Sequence, residues 1–288
     1  MATLLSLAVG GLADGALYAL IAIGFALVFG MTGIFHVAEG GVFLVSAYTY
    51  YELAVEAGVP VVIAIIAAAA GALIAGAAIY LLVYQRMLKG NRSFFSIFLA
   101  SFGTLVVLQN GLVLAFGASP VAFPGTLLQG FSVAGVEITW ADVVAIAAAV
   151  ATTATMAWFL RMTLTGVRLR ALAENPQLTS ECGIPSSKYR ILAYALGCVL
   201  VVPGAIILGY TQGIEPSDAP TIVTIAIVAS IGGGVGSLVG SGLTALGFGF
   251  IASVAVYWLP GSWSEAVAYM AFFVLILVRP SGLFERAR

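Results

Sequence analysis

The chain has 288 residues, of which 62% are hydrophobic and only 8% are charged. A soluble domain carries roughly 25% charged residues, so the composition excludes a water-exposed globular surface. Apolar runs of about 20 residues recur along nearly the whole chain, the length that a helix needs to cross a bilayer. Stretches such as 61–82 are apolar on every face, which excludes a membrane β-barrel. We therefore expect an all-α, polytopic transmembrane bundle.

The eleven Lys and Arg residues predict the orientation of this bundle. They fall into three clusters: Arg86, Lys89 and Arg92; then Arg161, Arg168, Arg170, Lys188 and Arg190; then Arg279, Arg286 and Arg288. The other connections carry acids and no bases, at Glu52 and Glu56, Glu137 and Asp142, Glu215 and Asp218, and Glu265. By the positive-inside rule, the basic clusters and the C-terminus are cytoplasmic and the acidic connections face outward.

From the N-terminus, residues 4–30 form a first apolar run that lacks the basic start of a signal peptide, so we expect a retained span. A shorter apolar stretch covers residues 37–51. Further spans are predicted near 60–84, 94–116, 140–160, 191–210 and 262–278. The interval 221–258 has acids at both flanks and a glycine-dense stretch at 232–237, so it must turn back within itself. The prediction is one membrane domain over residues 1–288 with about eight or nine segments.

Glycines interrupt the apolar pattern in both halves, at Gly30 and Gly33 and again at 232–236. Broken helices are tolerated in a membrane only against protein or a water-filled cavity, so they are typical of a transport site. Close helix packing through small residues is the alternative explanation. The sequence pattern alone does not decide between a transport site and close helix packing.

A few polar side chains within the apolar stretches are candidates for the substrate path: Asp14, His36, Glu39, Gln109 and Asn110. A charge at the bilayer centre costs about 2.5 kcal/mol or more, so such groups usually face a cavity or a partner. Asp14 could instead lie near the outer interface. His36 and Glu39 are three residues apart, so they either share one helix face and pair with each other or lie in a cytoplasmic-side turn between short helices. The two amides either bond across helices or face a polar conduit.

The basic connection 161–190 is predicted to form a short amphipathic helix outside the membrane. Thr165 is the expected N-cap, the helix extends to Glu174, and Asn175-Pro176 ends it before a second turn at 177–182. A loop of about 30 residues is uncommon unless it is functional. It either docks a soluble partner or lies on anionic headgroups.

At this loop the chain resembles the permease subunits of branched-chain amino-acid ABC importers. The resemblance is carried by the segments 165–168, 170–176 and 183–184. Further matching blocks occur in family order, at 11–20, 33–48, 108–110, 232–237 and 279–284.

The resemblance implies a heteromeric importer. A second related permease would complete the pore, two cytoplasmic ATPases would drive it, and an extracytoplasmic binding protein would deliver the solute. The segment 165–183 would be the coupling element, with Thr165, Arg168, Arg170, Glu174, Asn175 and Gly183 as its key residues. ATP and Mg²⁺ would be bound by the ATPases and no cofactor by this chain, in agreement with the absence of a phosphate-binding loop motif.

Around 33–41 the chain departs from the family pattern, because His36 stands where the family commonly has Asn and Glu39 where it has His. A carboxyl in place of an imidazole changes the local charge and puts a plain leucine, isoleucine or valine substrate in doubt.

Two alternatives from other classes compete with an importer permease. A secondary transporter or channel would explain the charge clusters and the broken segments but not the cytoplasmic helix. An intramembrane protease would need a Ser/His pair, two membrane Asp residues or an H-E-x-x-H motif, and none is evident. The two cysteines fit no metal spacing. A net charge of -1 says little about partners, and no nucleic-acid partner is expected.

Overall fold

In the computed structural model, residues 2–90, 92–133, 136–279 and 282–284 are described. Thirteen α-helices occur in these residues: α1 Ala2–Thr32, α2 Glu39–Tyr50, α3 Val61–Ile79, α4 Gln85–Lys89, α5 Phe94–Phe116, α6 Trp140–Met162, α7 Leu164–Glu174, α8 Pro176–Glu181, α9 Ser186–Leu200, α10 Val202–Thr211, α11 Ala219–Gly233, α12 Leu238–Ala255 and α13 Ser264–Val278. Short π-helical segments extend α2 over Tyr51–Glu56 and α3 over Tyr80–Tyr84. Arg286, Arg288 and the 280–281 part of the last sequence block lie outside the described residues.

Seven helical stretches among the described residues are long and apolar enough to cross a membrane. They start at Leu4, Val61, Phe94, Trp140, Ser186, Leu238 and Gly261. With the shorter α2 and α11 they account for the expected eight or nine segments and confirm the all-α membrane bundle. The predicted turn within 221–258 is confirmed, because α11 ends at Gly233 and α12 begins at Leu238.

Two features differ from the sequence-based prediction. The span expected over 191–210 is divided at Val201 into α9 and α10, since Pro203 in the first turn of α10 cannot donate a backbone hydrogen bond. A small antiparallel hairpin, β1 Gly130–Val133 and β2 Val136–Thr139, precedes α6. This hairpin was not predicted, because two four-residue strands give too short an alternation to stand out beside long apolar runs.

The helix α1 lies at the centre of the bundle and packs closely on α12. Gly11 of α1 lies against Ser253, and Gly15 lies against the backbone of Leu246. Because contact positions advance along α1 while they retreat along α12, the two helices are antiparallel. The outer surfaces of α3 and α13 expose apolar side chains such as Ile66 and Phe273, as expected of lipid-facing helices.

The two chain breaks pack against each other. The helix α1 ends just before Gly33, and the turn between α11 and α12 contains Gly234 and Gly236, all three with positive φ. A methyl group added to Gly30 would come within 2.5 Å of Gly236 Cα, so the two backbones touch. The chain after α13 joins this junction, where the Leu283 backbone N–H donates to Gly232 O at 2.9 Å.

We expect Gly30→Ala to lower the stability of the folded protein by about 1–3 kcal/mol, because its Cβ overlaps a backbone that cannot easily move. Gly10→Ala on the same helix is the matched control. Its Cβ meets nothing within 4 Å, so it should be neutral or stabilising. Thermal unfolding of the detergent-purified protein measures both. Equal midpoints for the two variants would contradict this packing.

Candidate functional site

The segment 33–38 connects α1 to α2 without helical structure, and Ile34 and residues 36–38 of it are buried within the bundle. Neighbouring elements hold it by polar contacts. The Ala38 backbone N–H donates to Ser101 Oγ on α5 at 3.0 Å, and the Thr32 hydroxyl at the end of α1 lies 3.5 Å from the Tyr194 hydroxyl on α9. Non-helical backbone at membrane depth requires such partners. The first helix break is therefore a specifically bonded turn.

A chain of buried side-chain hydrogen bonds runs through this segment. His36 Nδ1 lies 2.8 Å from the Tyr84 hydroxyl, which lies 2.6 Å from Ser101 Oγ. The other ring nitrogen, His36 Nε2, lies 3.5 Å from Cys198 Sγ. The ring of Tyr194 packs on both His36 and Tyr84. These contacts tie the segment 33–38 to α5, α9 and the π-helical end of α3.

Of the two alternatives for His36 and Glu39, the pairing is wrong, and His36 lies in a turn between two helices. The helix α2 begins at Glu39, so His36 precedes it and does not share its helical face. Both Glu39 carboxylate oxygens are buried without a hydrogen-bond partner among the described residues. The carboxyl group packs directly against the backbone of Gly24. A Cβ added to Gly24 would overlap Glu39 Oε1 and would lie 2.8 Å from Gly197 O. Position 24 therefore requires glycine, because any side chain there would take the space of the Glu39 carboxyl group.

The other predicted path residues lie apart from His36 and Glu39. Asp14 is half-buried on α1, within electrostatic range of Asp142 at the start of α6, so it lies toward the acidic end of the bundle. Asn110 is exposed on α5 and donates through Nδ2 to Val106 O of its own helix at 2.8 Å. Gln109 is half-buried. The structure therefore does not gather the five residues into one site.

A cavity of about 570 Å³ at the acidic end was not predicted as a site. Its lining includes Gln212, Glu215 and Asp218 from the α10–α11 connection and Glu265 from α13. Burial is the main cause that raises the pKa of the Asp218 carboxyl, and the nearby Glu215 carboxylate adds to it. The acids were visible as outward-facing residues, but their convergence depends on how α10, α11 and α13 pack.

The connection after α6 forms the expected helix as α7, and the short helix α8 lies where a second turn was expected. The predicted N-cap is wrong by two residues, because Thr163 Oγ accepts the Gly166 backbone N–H at 3.0 Å and Thr165 lies in the first turn. Asn175 ends α7 and caps α8, its Oδ1 accepting the N–H groups of Gln177 and Leu178. The break at Asn175-Pro176 is confirmed.

The helix α7 is anchored on one face and exposed on the other. Leu169 and Leu172 are buried, and a Cβ on Gly166 would overlap Phe159 O, so α7 packs tightly on the end of α6. The exposed side carries Arg168, Glu174 and Asn175, with Gly183 beyond α8. Arg168 Nη1 donates to the Tyr189 hydroxyl at 2.7 Å, whereas Arg170 is half-buried and its Nε has no hydrogen-bond partner among the described residues.

No group of three or more His, Cys, Asp or Glu side chains in the described part of the chain could hold a metal ion. Both cysteines are free, Cys182 exposed and Cys198 buried. The arrangement consists of a bundle with two broken segments, a cavity at the acidic end and an exposed helical pair at the basic end. These features define the protein as a polytopic α-helical membrane protein.

The family described as branched-chain amino acid transport system, permease component, matches residues 7–277. The chain belongs to this family of ABC-importer permeases and is a multi-pass inner-membrane protein, as the sequence motifs predict. Permeases of this family work with ATPase and binding-protein partners. Nothing in the comparisons supports a secondary transporter or channel.

The permease protein BraD of Pseudomonas aeruginosa, from a high-affinity branched-chain amino acid transport system, is 28% identical over 96% of this chain and 94% of its own length. The corresponding LivH protein of Escherichia coli is 26% identical over the same shares. Among solved structures, PsaBC from Streptococcus pneumoniae in complex with Fab aligns with a TM-score of 0.54 at 15% identity, covering 94% of this chain and 91% of that one. At that identity the likeness concerns the fold alone.

We expect Tyr84→Phe to lower stability by about 1–3 kcal/mol, because it leaves His36 Nδ1 and Ser101 Oγ buried without their shared partner. Tyr80→Phe is the matched control, since Tyr80 packs on the same Tyr194 ring but lies outside this hydrogen-bond chain. Thermal unfolding of both variants in detergent tests the expectation. A Tyr84→Phe protein as stable as the control would show that the hydrogen bonds of Tyr84 contribute nothing to the stability of the fold.

Proposed function

We propose that this chain forms half of the pore of an ATP-binding-cassette importer for a small polar or amphipathic solute, such as a branched-chain amino acid or a related compound. The observation that carries the proposal is the family match over residues 7–277, together with an exposed helical pair at the basic end. The relatives named above belong to branched-chain amino acid systems, which supports this solute class.

The assembly contains a second related permease, two cytoplasmic ATPases and an extracytoplasmic binding protein. The permeases contact membrane lipid, and no nucleic acid takes part. ATP and Mg²⁺ bind to the ATPases, so this chain is a non-catalytic subunit that holds no cofactor. The distribution of Lys and Arg supports a cytoplasmic C-terminus and cytoplasmic α7 and α8. The acidic end, with its cavity, then faces the binding protein.

Transport proceeds by alternating access. The solute passes from the binding protein into a space between the two permeases, and closure of the ATPases moves α7 and α8. Gly166 and Leu169 pack α7 tightly, Gly166 directly against α6. A displacement of α7 is therefore transmitted directly to α6. Thr165, Arg168, Arg170, Glu174, Asn175 and Gly183 form the coupling element within the single permease domain.

The substrate-path residues have different parts in this mechanism. Asp14 lies toward the outer entrance, and Gln109 and Asn110 belong to the α5 wall. His36 and Glu39 are buried in the bundle, so we propose that they act on the path by positioning the start of α2. A buried carboxyl without a partner makes this position sensitive to substitution.

We expect Arg168→Glu and Glu174→Arg to reduce coupling. Both side chains are exposed where an ATPase would contact them, so their loss should leave folding intact while solute-stimulated ATP hydrolysis falls about tenfold. Lys89→Glu, an exposed charge reversal in another basic cluster, is the control. Normal stimulated hydrolysis in the Arg168→Glu, Glu174→Arg double variant would count heavily against this coupling role.

We expect Glu39→Gln to change solute affinity or selectivity, because it replaces an ionisable group at the start of α2 with a neutral one of the same shape. Uptake of radiolabelled branched-chain amino acids, amides and aromatic acids into proteoliposomes measures the effect. Glu52→Gln, an exposed acid at the outer end, is the control. Identical uptake of every solute by Glu39→Gln and the parent would show that Glu39 has no effect on solute affinity or selectivity.

The proposed function as a whole is tested by reconstituting the permease with its partners in proteoliposomes and identifying what the binding protein captures. We expect uptake of that solute only with internal ATP and the binding protein present. Uptake driven by an ion gradient without ATP would establish the secondary-transporter alternative in its place.

A further inference from the structure

A groove of about 340 Å³ lies beside the last turns of α13, at the basic end of the bundle. One wall is a single apolar stripe of α13, because its residues recur at helical spacing: Ala271, Val274, Leu275 and Val278. The opposite wall includes Leu283 from the chain that follows the helix, and Arg279 completes the lining. We call this space the strap groove.

The second wall belongs to a short segment, residues 282–284, which we call the strap. Gly282 has a positive φ and lies against the backbone of Gly234, in the turn between α11 and α12. The next residue, Leu283, donates its backbone N–H to Gly232 O at 2.9 Å. The last carbonyls of a helix lack intrahelical donors, so this bond satisfies one of them in α11. The strap is therefore attached to the junction of the two broken segments.

The length of α13 determines the depth of the strap groove in the bilayer. The apolar span Gly261–Val278 has 18 residues, which extend about 27 Å as a helix, close to the roughly 30 Å of a hydrocarbon core. Trp258 and Trp263 are exposed near its start, as is typical of an aromatic belt at one interface. Arg279 follows the span and so lies at the level of the opposite headgroups, while the apolar stripe lies beside the acyl chains.

The charge of Arg279 has no counterpart in the strap groove. The side chain is exposed, and the described lining contains no acid. The complementary occupant therefore joins an anionic group to an apolar chain, and in a membrane that molecule is an anionic phospholipid. Inorganic phosphate would leave the apolar stripe uncovered. A zwitterionic lipid would bring a phosphate whose charge is offset by its own cation.

We propose that the strap groove binds one anionic phospholipid. Its phosphate oxygens accept N–H groups of the Arg279 guanidinium, and an acyl chain packs on Ala271, Val274 and Val278. The same lipid contacts Leu283, so it holds the strap beside α13 and stabilises the junction of the broken segments. The inference goes beyond the proposed function, because it applies whichever solute the importer carries.

Native mass spectrometry of the full chain in detergent tests the binding, with dioleoylphosphatidylglycerol or dioleoylphosphatidylcholine added. We expect one phosphatidylglycerol to be retained per chain, and phosphatidylcholine to be lost more easily. Arg279→Gln should lower the affinity for phosphatidylglycerol about fivefold, the contribution of one arginine at an anionic membrane surface. Arg279→Lys should keep most of it. Arg161→Gln, which removes another exposed arginine of the basic end, is the matched control and should bind as the parent does.

Two tryptophan variants test the apolar wall. Val274 is 52% exposed and Val278 is 76% exposed, so the fold should tolerate a larger side chain at either position. Val274→Trp and Val278→Trp should each fill the strap groove and weaken retention of phosphatidylglycerol although Arg279 is intact. Phe273→Trp is the control, because Phe273 is exposed on the same helix but does not line the groove.

Thermal unfolding tests the effect on the strap. Phosphatidylglycerol should raise the unfolding midpoint of the parent and of Arg161→Gln by several degrees, because a ligand that binds only the folded state stabilises it. The rise should be lost in Arg279→Gln and in Val278→Trp. Inorganic phosphate should not produce it, since it has no acyl chain to pack on the stripe.

Equal retention of the two lipids, equal losses in Arg279→Gln and Arg161→Gln, or full retention in both tryptophan variants would overturn the inference. Stabilisation by inorganic phosphate as large as that by phosphatidylglycerol would also overturn it, because the site would then recognise the phosphate without the lipid. Binding of phosphatidylglycerol without any rise in the midpoint would contradict the stabilisation of the strap. None of these measurements depends on transport.

Discussion

The architecture depends on one constraint: in a bilayer, the backbone polar groups of a broken helix must find partners inside the protein. Two breaks of this chain, after α1 and between α11 and α12, touch through Gly30 and Gly236. Each break thus packs against the other. Close approach of two backbones is possible only without side chains, which is why glycine occupies both positions.

The same constraint accounts for the polar chain around His36. The segment 33–38 lacks helical hydrogen bonds, so side chains from other elements supply partners, and Ser101 serves both the Ala38 backbone and the Tyr84 hydroxyl. The bonded turn allows α2 to begin inside the bundle. Starting there, α2 carries Tyr48 to within electrostatic range of Asp218 and Glu215.

At the basic end, rigidity has a different origin. The helix α7 is joined to α6 by a hydroxyl cap at Thr163 and by close packing at Gly166, while its charged side remains free. A helix held on one face and exposed on the other can transmit a displacement without unfolding. This property suits a contact with a motor subunit, and it requires small and apolar residues on the inner face as much as charged ones on the outer.

The sequence by itself determined the class, the number of segments, the charge asymmetry, the position of both breaks and the helix break at Asn175, because these depend on local composition and on the cost of exposing polar groups to lipid. It also identified the permease family through ordered motifs. It misjudged the partner of His36, since Tyr84 is 48 residues away and reaches it only through the packing of α3.

Tertiary structure alone decided which acids converge. Glu215 and Asp218 are close in sequence, but Glu265 joins them only because α13 packs beside α11, and the spacing of charges along the chain carries no information about that neighbour. It likewise decided that Glu39 is buried while Asn110 is exposed. In a membrane helix, apolar residues occur on buried and lipid-facing sides alike, so hydrophobic periodicity cannot distinguish them.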